Sequence, residues 1–489
     1  MITLRQLFPD WLGQDVSVTG LALDSRQVKS GYLFLAVPGL KVDGRDYIDQ
    51  AIEAGAVAVA YDATDDRHYE GAVPMLAVPQ LAEQISAIAG RFYGEPSAAL
   101  TLVGITGTNG KTSVSQMLAQ ALNELDTPCG VIGTLGSGMP GALTDHGMTT
   151  PDAVNVQGQL ARLRDAGAAA VCMEVSSHAL DQGRVAALAF DVAVFTNLTR
   201  DHLDYHGDMI SYEAAKARLF DAGGCHAVIN LDDPAGRRLM ERCPPREGTA
   251  RLLGFSLMDA TAPLHCSDVR YDAAGIHALL HFEDEQSSLH SELLGEFNLS
   301  NLLAVTGSLL VLGFSLHQAV ERAAGLRAPA GRMQRLGGGS RPLVVVDYAH
   351  TPDALEKALI ALRAHVSGRL TCIFGCGGNR DAGKRPLMGQ IAERYADRVV
   401  VTDDNPRNEP SASIIGQICQ GLGKPQNITV LANRAEAIAH TISRAHHEDV
   451  ILLAGKGHET YQEINGVRHA FSDIEQAERA LQQWEASHA

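Results

Sequence analysis

Aromatic residues make up only 5% of the chain, with 2 Trp, and the most apolar internal run, Leu302 to Phe314, is shorter than a bilayer span. Thr306, Gly307 and Ser308 interrupt that run, which argues against membrane insertion. Basic charge is in deficit. The 40 Lys plus Arg against 57 Asp plus Glu leave a formal charge of -17, which opposes nonspecific attraction to nucleic acid or an anionic lipid surface. Any anionic ligand must therefore be held by local features. Met1 to Gly13 lacks the basic stretch followed by an apolar run that marks a secretory signal, so a cytoplasmic protein is expected. The 8 cysteines, at 129, 172, 225, 243, 266, 372, 376 and 419, show no CxxC spacing. Neither a zinc clamp nor a disulfide scaffold is suggested, and reduced thiols, mostly of the core, are expected.

What is present is the usage of a globular protein: 489 residues, 45% hydrophobic and 20% charged, with 48 Gly. That length predicts two to four cores rather than one. From Leu100 onward a short apolar run, a polar or Gly-rich turn and a helically spaced stretch follow one another repeatedly, the pattern of an α/β parallel sheet. Strands are expected over Leu100 to Ile105, Ala168 to Met173, Ala189 to Thr196 and His226 to Leu231, and a helix over Ser113 to Leu125. Between about Asp259 and Leu293 polar and apolar residues alternate, as in antiparallel hairpins, and Glu283 to Glu285 reads as a solvated face.

A second α/β series follows the Gly-rich segment Leu336 to Ser340, with strands expected at Leu343 to Val346, Leu370 to Phe374, Val399 to Val401 and Val450 to Leu453. Short strands at Tyr32 to Val37 and Ala56 to Ala60 precede a break at Glu95-Pro96-Ser97. The expectation is three domains: residues 1–97, a central phosphate-loop domain over 98–330, and a Rossmann-like α/β domain over 331–489. No repeat of solenoid period is visible.

The strand ending at Gly104 runs into Ile105-Thr106-Gly107-Thr108-Asn109-Gly110-Lys111-Thr112-Ser113 and then a helix. Glycines let the backbone turn its amides toward a phosphate, and the helix start adds positive potential. Lys111 can reach terminal phosphates, and the Thr112 hydroxyl can ligate magnesium. The GxxxxGK[ST] spacing is missed by one residue, since position 105 is Ile and the first Gly is 104. An incidental Gly-Lys-Thr turn is the bland alternative, which the strand-loop-helix context disfavours.

Two further strand ends carry polar runs, Glu174-Val175-Ser176-Ser177-His178 and Thr196-Asn197-Leu198-Thr199-Arg200-Asp201-His202-Leu203-Asp204. The carboxyl ends of parallel strands form the ligand crevice, so these runs should converge on the phosphate loop. Glu174 and His202 become metal candidates there, with a structural hydrogen-bonding role as the alternative for each. A zinc hydrolase built on His202 and His206 is weaker, because no HExxH accompanies them.

With Asp347-Tyr348-Ala349-His350-Thr351-Pro352, these motifs resemble the Mur ligase family, ATP-dependent amide-forming enzymes of cell-wall precursor synthesis, over nearly the whole chain. Asp404-Asn405-Pro406-Arg407 and Gly455-Lys456-Gly457-His458-Glu459 point within it to the diaminopimelate-adding branch. The resemblance implies a reaction in which ATP phosphorylates the D-glutamate carboxylate of UDP-MurNAc-L-Ala-D-Glu. An amino group of meso-2,6-diaminopimelate then attacks the acyl phosphate.

It also implies residue roles. ATP would meet Gly107 to Ser113, Asn298, Asn301, Arg332 and Asp347, and His350 would join Lys111, Glu174, His202 and Lys216 in catalysis. Magnesium would be held through Thr112, Glu174, His202 and Lys216, the last as a carbamate; a solvated surface lysine is the ordinary reading of Lys216. Asp347 and His350 could equally belong to a helix-capping turn with Thr351-Pro352-Asp353, and both roles can coexist. The UDP-muramoyl dipeptide would meet Leu23, Ser25, Leu40, Lys41, Val42, Thr149, Thr150, Ser176, Gln182 and Arg184. Diaminopimelate would meet Arg380, Asp404, Asn405, Pro406, Arg407, Gly455 and Glu459.

Diaminopimelate differs from lysine by a distal carboxylate, which a guanidinium such as that of Arg407 can grip bidentately. A lysine-adding ligase is the alternative within the family, disfavoured because Arg407 would face a cationic tail. Folate polyglutamation gives no reason for the two motifs around Arg407 and Glu459. A P-loop phosphotransferase or regulatory ATPase would explain the loop alone. A monomer is expected.

Overall fold

The computed structural model describes residues 2–39, 42–65, 67–221, 224–243, 248–423 and 425–488. Contacts divide the chain into two compact units, Met1–Gly254 and Phe255–Ala489.

The first unit holds two principal sheets. The smaller has four parallel strands in the order Gly20–Ala22, Tyr32–Ala36, Ala56–Asp62, Met75–Val78. Alternate residues fill opposite faces: Leu33, Leu35, Ala58 and Ala60 pack with Leu81, Ile85 and Ile88 of the helix Leu81–Tyr93, while Phe34, Ala36, Val59 and Tyr61 pack with Ile48 and Ala51. Burial on both faces is what an all-parallel sheet requires.

In the larger sheet the strands His226–Asn230, Val192–Phe195, Thr101–Thr106, Ala170–Glu174 and Cys129–Gly133 lie side by side and parallel. Gly136–Gly138 adds an antiparallel edge. From Thr101–Thr106 the chain builds first to one side and then, with Val192–Phe195, to the other, so a topological switch point lies beside that strand. Glu174 pairs with Ile105, and Phe195 with Thr106, so these strands end level and their following polar runs emerge together.

The expected strands are present with ends moved by a few residues. The helix expected at Ser113 begins earlier, at Lys111, because Gly110 at φ 87° turns the chain directly into it. Lys111, Thr112 and Ser113 are thus its first turn.

In the second unit the alternating segment forms the antiparallel strands Leu264–Asp272, Gly275–Phe282 and Glu285–Ser291. Glu283 and Asp284 make the exposed turn between the last two. A six-stranded sheet follows in the order Gln334–Gly337, Leu343–Asp347, Val450–Ala454, Leu370–Phe374, Arg398–Val401, Ile428–Val430, parallel except for its first pair. Part of the Gly-rich segment is therefore an edge strand. Both faces of this sheet are apolar and covered, one around Val345, Cys372 and Leu452, the other around Val346, Ile373 and Leu453.

All eight cysteines are free, and six of them are buried. Burial pushes the Cys372 and Cys376 thiols up to about 12, as inert core groups. Among the described residues no helix is long and apolar enough to cross a membrane.

Candidate active site

Gly107 opens the phosphate loop at φ 147°, and a Cβ there would stand 1.9 Å from the Thr196 hydroxyl, so only glycine fits. The adjoining strand end fastens the loop. Thr108 N donates to Asn197 O at 2.9 Å, Asn109 N to Asn197 Oδ1 at 2.9 Å, and Thr196 Oγ1 to Asn109 O at 2.6 Å. The first intrahelical bond after the loop runs from Val114 N to Gly110 O, so Lys111, Thr112 and Ser113 form the N-terminal turn of the helix, the end whose backbone amides and dipole favour an anion. Lys111 Nζ curls back over the loop to the carbonyls of Gly107 and Thr108, 2.9 Å from each.

Glu174 is 1% exposed and held from three directions. Thr134 N donates to its Oε1 at 2.8 Å, while Thr134 Oγ1 and Thr112 Oγ1 donate to its Oε2 at 3.1 and 2.9 Å. A hydroxyl and a carboxylate side by side at the head of a phosphate loop form a hard oxygen donor set, which suits magnesium. Lys216 is also buried, at 2% exposure, and its Nζ donates to Gly107 O at 2.9 Å while lying 4.5 Å from the Tyr212 ring centroid. Burial, and then Lys111, push its ammonium well below the ordinary lysine range.

His202 takes the left-handed conformation at φ 52° and is half exposed, with its ring 4.9 Å from His178 and 6.1 Å from Tyr212. Burial holds the His178 and His206 imidazoles below their usual range, His202 adding to the effect on both. Among the described residues no three His, Cys, Asp or Glu side chains form a ready metal cluster. Glu174 and Thr112 thus meet directly, Lys216 meets them through the loop, and His202 stands in an aromatic group with His178, Tyr205 and Tyr212.

The residues expected to meet the dipeptide form one network at the ends of these strands. Thr150 Oγ1 donates to Glu174 O at 2.8 Å and accepts from Ser176 N at 3.0 Å. Arg184 Nη1 donates to Thr150 O at 2.7 Å, and its Nε and Nη2 clasp Gln182 Oε1 at 3.0 and 2.6 Å. Thr149 shares a 3.0 Å hydrogen bond with Thr134. On the smaller sheet, Leu23 is half-buried and Ser25 buried, its hydroxyl donating to Gln50 Oε1 at 2.8 Å, and Val42 is exposed. Leu40 and Lys41 lie outside the described residues.

In the second unit, Asn298 and Asn301 are buried and bonded to each other at 3.1 Å within the helix Glu296–Val311. Asp347 accepts from Met333 N and Ala349 N, each at 2.8 Å, and burial raises its carboxyl above the usual range. Arg332 stacks over the Tyr348 ring at 5.0 Å, and His350 is exposed with its Nδ1 bonded to Tyr348 O at 2.8 Å. Thr351 caps the next helix by accepting from Ala354 N, so the capping turn is real.

Arg407 also sits at positive φ, 52°, pinned on both sides by the hairpin Tyr461–Ile464/Val467–Ala470: its N–H donates to Glu463 O at 2.9 Å, and its carbonyl accepts from Asn465 N at 2.7 Å. The guanidinium donates to Gly378 O at 2.9 Å and lies 3.5 Å from the Glu463 carboxylate. A Cβ on Gly377 would lie 2.8 Å from Arg407 Nη1 and 3.7 Å from Arg380 Cγ, so both arginines flank that glycine; Arg380 is exposed.

Beside Pro406, Asn405 Nδ2 donates to Glu459 Oε2 at 2.8 Å, and the fully buried Lys456 reaches Asn405 Oδ1 and Glu459 Oε2 at 3.1 and 3.0 Å. Asp404 is buried, which raises its carboxyl, against the pull of Arg434 and Lys456. Gly455 leaves it room, since a Cβ there would fall 2.6 Å from Asp404 Oδ2. The residues assigned to diaminopimelate are therefore neighbours, with cations and carboxylates interleaved.

Three family models match in order along the chain: the Mur ligase family catalytic domain over residues 17–93, the Mur ligase middle domain over 105–309, and the Mur ligase glutamate ligase domain over 331–457. The chain belongs to the Mur ligase family. It is 59% identical, over 100% of both chains, to a protein of Pseudomonas aeruginosa named UDP-N-acetylmuramoyl-L-alanyl-D-glutamate--2,6-diaminopimelate ligase. A protein of Ectopseudomonas mendocina with the same name is 57% identical over 99% of each chain. A solved structure, also of a UDP-N-acetylmuramoyl-L-alanyl-D-glutamate--2,6-diaminopimelate ligase, matches with a TM-score of 0.77 at 36% identity, covering 100% of this chain and 99% of that one.

Within each unit, residues that support the candidate side chains had no assigned role in the sequence. Thr134 follows the strand Cys129–Gly133, and the strand-end rule that singled out Glu174 applies to it equally. Tyr212, whose hydroxyl lies 3.2 Å from Thr108 Oγ1, and Glu463 carried no sequence signal of their own.

Proposed function

We propose that this Mur ligase joins meso-2,6-diaminopimelate to UDP-MurNAc-L-Ala-D-Glu through an acyl phosphate, as a monomer in the cytoplasm. In this reading residues 1–97 bind the nucleotide sugar, 98–330 bind ATP, and 331–489 bind the incoming amino acid. A D-glutamyl carboxylate oxygen attacks the γ-phosphorus and ADP leaves. The amine nitrogen then attacks the acyl carbon, phosphate leaves, and the nitrogen loses a proton as the amide forms.

The first step brings a carboxylate against a polyphosphate, so charge must be offset where they meet. Lys111 and the first-turn amides of its helix serve the phosphates. Magnesium, when bound through Thr112 and Glu174, supplies further positive charge. Lys216 contributes as a carbamate: burial disfavours its ammonium form, the neutral amine is the form that adds carbon dioxide with loss of a proton, and the product carries the negative charge that a metal site wants. Arg184 and Gln182, locked together, give the dipeptide a rigid edge.

The observation that carries the choice of amino acid is Arg407 standing with Arg380 at Gly377, next to the Asp404, Asn405 and Glu459 cluster. A substrate with an acid and an amine at its far end finds a partner for each, whereas lysine leaves Arg407 facing an ammonium. The test is phosphate release by purified protein given ATP, magnesium and the UDP-muramoyl dipeptide, with either meso-diaminopimelate or L-lysine. Release that needs both the dipeptide and diaminopimelate is expected. Equal turnover with lysine overturns the choice of amino acid, and release without either acceptor overturns the ligase.

A further inference from the structure

The six-stranded sheet of the second unit has a second polar feature, at the opposite end of its strands from Asp404 and Arg407. Thr371 and Arg398 are direct partners on adjacent parallel strands, as are Val400 and Thr429, so these side chains share one face. Arg369, two residues before Thr371, continues that face. The helix Arg434–Ile442 covers it and contributes His440, with Arg444 just beyond. Together they line an open notch of about 100 Å³.

Its floor is buried and its rim is cationic. Thr371, Val400 and Ala445 are 6%, 4% and 9% exposed, while the three arginines are exposed. Arg444 Nη1 lies 2.8 Å from His440 Nε2; a guanidinium can only donate, so the imidazole nitrogen accepts. One carboxylate, Asp449, lines the notch as well, so its single negative charge stands against the three arginines. Asp449 accepts from Arg369 N at 2.8 Å and His446 N at 2.9 Å, and Asp397 from Leu370 N at 2.7 Å and Arg363 Nη1 at 2.9 Å. Among the described residues Arg369 and Arg398 form no ion pair. Arg444 also has the negative end of its helix to answer, so the surplus positive charge belongs chiefly to the two sheet arginines.

We propose that this notch binds a phosphate dianion, free or as the terminal monoester of a larger molecule. Guanidiniums match phosphate oxygens in geometry as well as charge, and the Thr371 hydroxyl at the buried floor can donate to the same group. The volume suits one phosphoryl group and is well below the roughly 300–1,000 Å³ of pockets that enclose a drug-sized ligand. The site is independent of the amino-acid assignment above, because it uses none of those residues.

The test uses the full chain with its phosphate loop saturated by magnesium and ADP. Inorganic phosphate and, separately, glycerol 3-phosphate are titrated and followed by phosphorus NMR line broadening, and crystals are soaked in tungstate to locate the anion. Wild-type protein should bind at least one probe and show tungstate between Arg369 and Arg398. Arg369→Gln/Arg398→Gln should weaken binding about tenfold or more while leaving ADP affinity unchanged. Binding of phosphate alone identifies the free ion as ligand, and comparable binding of the ester identifies a monoester. Equal binding by the double variant, or a wild-type notch without tungstate, overturns the proposal.

Discussion

Lys111 and Lys216 donate to one acceptor, the carbonyl oxygen of Gly107, each at 2.9 Å. Two ammonium groups on one carbonyl repel each other, and the cost falls on Lys216, which is the more buried. Conversion of Lys216 to a carbamate would turn that repulsion into attraction.

The unmodified lysine should therefore carry a pH-dependent cost. Its folded-state pKa lies well below 10.5, so between that value and 10.5 the unfolded chain binds more protons and stability rises with pH. Below the window the full penalty is present. In buffer free of carbon dioxide, Lys216→Met should raise Tm most on the acid side, with the gain shrinking as pH approaches 10.5, and should lower kcat about a hundredfold or more. A gain independent of pH would remove burial of the charge as its cause. Incubation with labelled bicarbonate should give a carbamate carbon signal in wild type alone.

Arg407 combines a positive φ with a guanidinium, and the two can be separated. Arg407→Ala keeps the strain, which costs about 1–3 kcal/mol, and loses the cation; Arg407→Gly relieves the strain and loses the same cation. Both should lower kcat/KM for diaminopimelate about a hundredfold, roughly the 1.5–3 kcal/mol of a charged hydrogen bond. KM for ATP should stay put, and Arg407→Gly should be the more stable of the two. Near-normal diaminopimelate kinetics in Arg407→Gly would withdraw the assignment.

The parallel sheets were legible because each strand is a short apolar run that ends in a chemically distinctive segment, so Gly107 to Thr112 and Glu174 to His178 announced the fold and the strand ends that emerge together. Thr134 was not, although it makes two of the three hydrogen bonds to the Glu174 carboxylate. It follows Val131-Ile132-Gly133, where the strand end marks the position but a lone threonine does not distinguish a functional hydroxyl from a turn residue. The convergence of Arg407 with Glu463 was also out of reach, since their 3.5 Å approach depends on where a hairpin far along the chain folds back. Periodicity reports neighbours on one element, whereas pairs brought together by tertiary packing leave no trace in it.

Thr134→Val tests the support of Glu174. The variant keeps the backbone N–H bond at 2.8 Å and loses the hydroxyl bond at 3.1 Å, along with the bond to Thr149. One neutral hydrogen-bond partner removed is worth about 1 kcal/mol. The apparent magnesium requirement should rise about fivefold with little change in Tm. Glu174→Gln removes the charge itself and should have a much larger effect. An unaltered magnesium dependence in both variants would place the metal elsewhere.

Arg434 and Asp473 form the most enclosed ion pair of the second unit, both fully buried, with Nη2 and Nε each 2.7 Å from a carboxylate oxygen. Arg434 Nη2 also donates to Ala454 O at 3.0 Å and Nη1 to Asp403 O at 3.3 Å, so one guanidinium ties together the strand ends that carry Asp404 and Gly455. Burial alone would lower its pKa, and Asp473 more than reverses that. Arg434→Met leaves a carboxylate uncompensated in the core and should cost about 3–5 kcal/mol. Arg434→Met/Asp473→Leu removes both charges and should recover a large part of that stability, as urea unfolding would show. Its KM for diaminopimelate should nevertheless stay high, because the carbonyls of Asp403 and Ala454 have lost their shared donor. Recovery of stability and KM together would reduce the pair to a structural role, and equal stability of the single and double variants would mean that the Asp473 charge is not buried in solution.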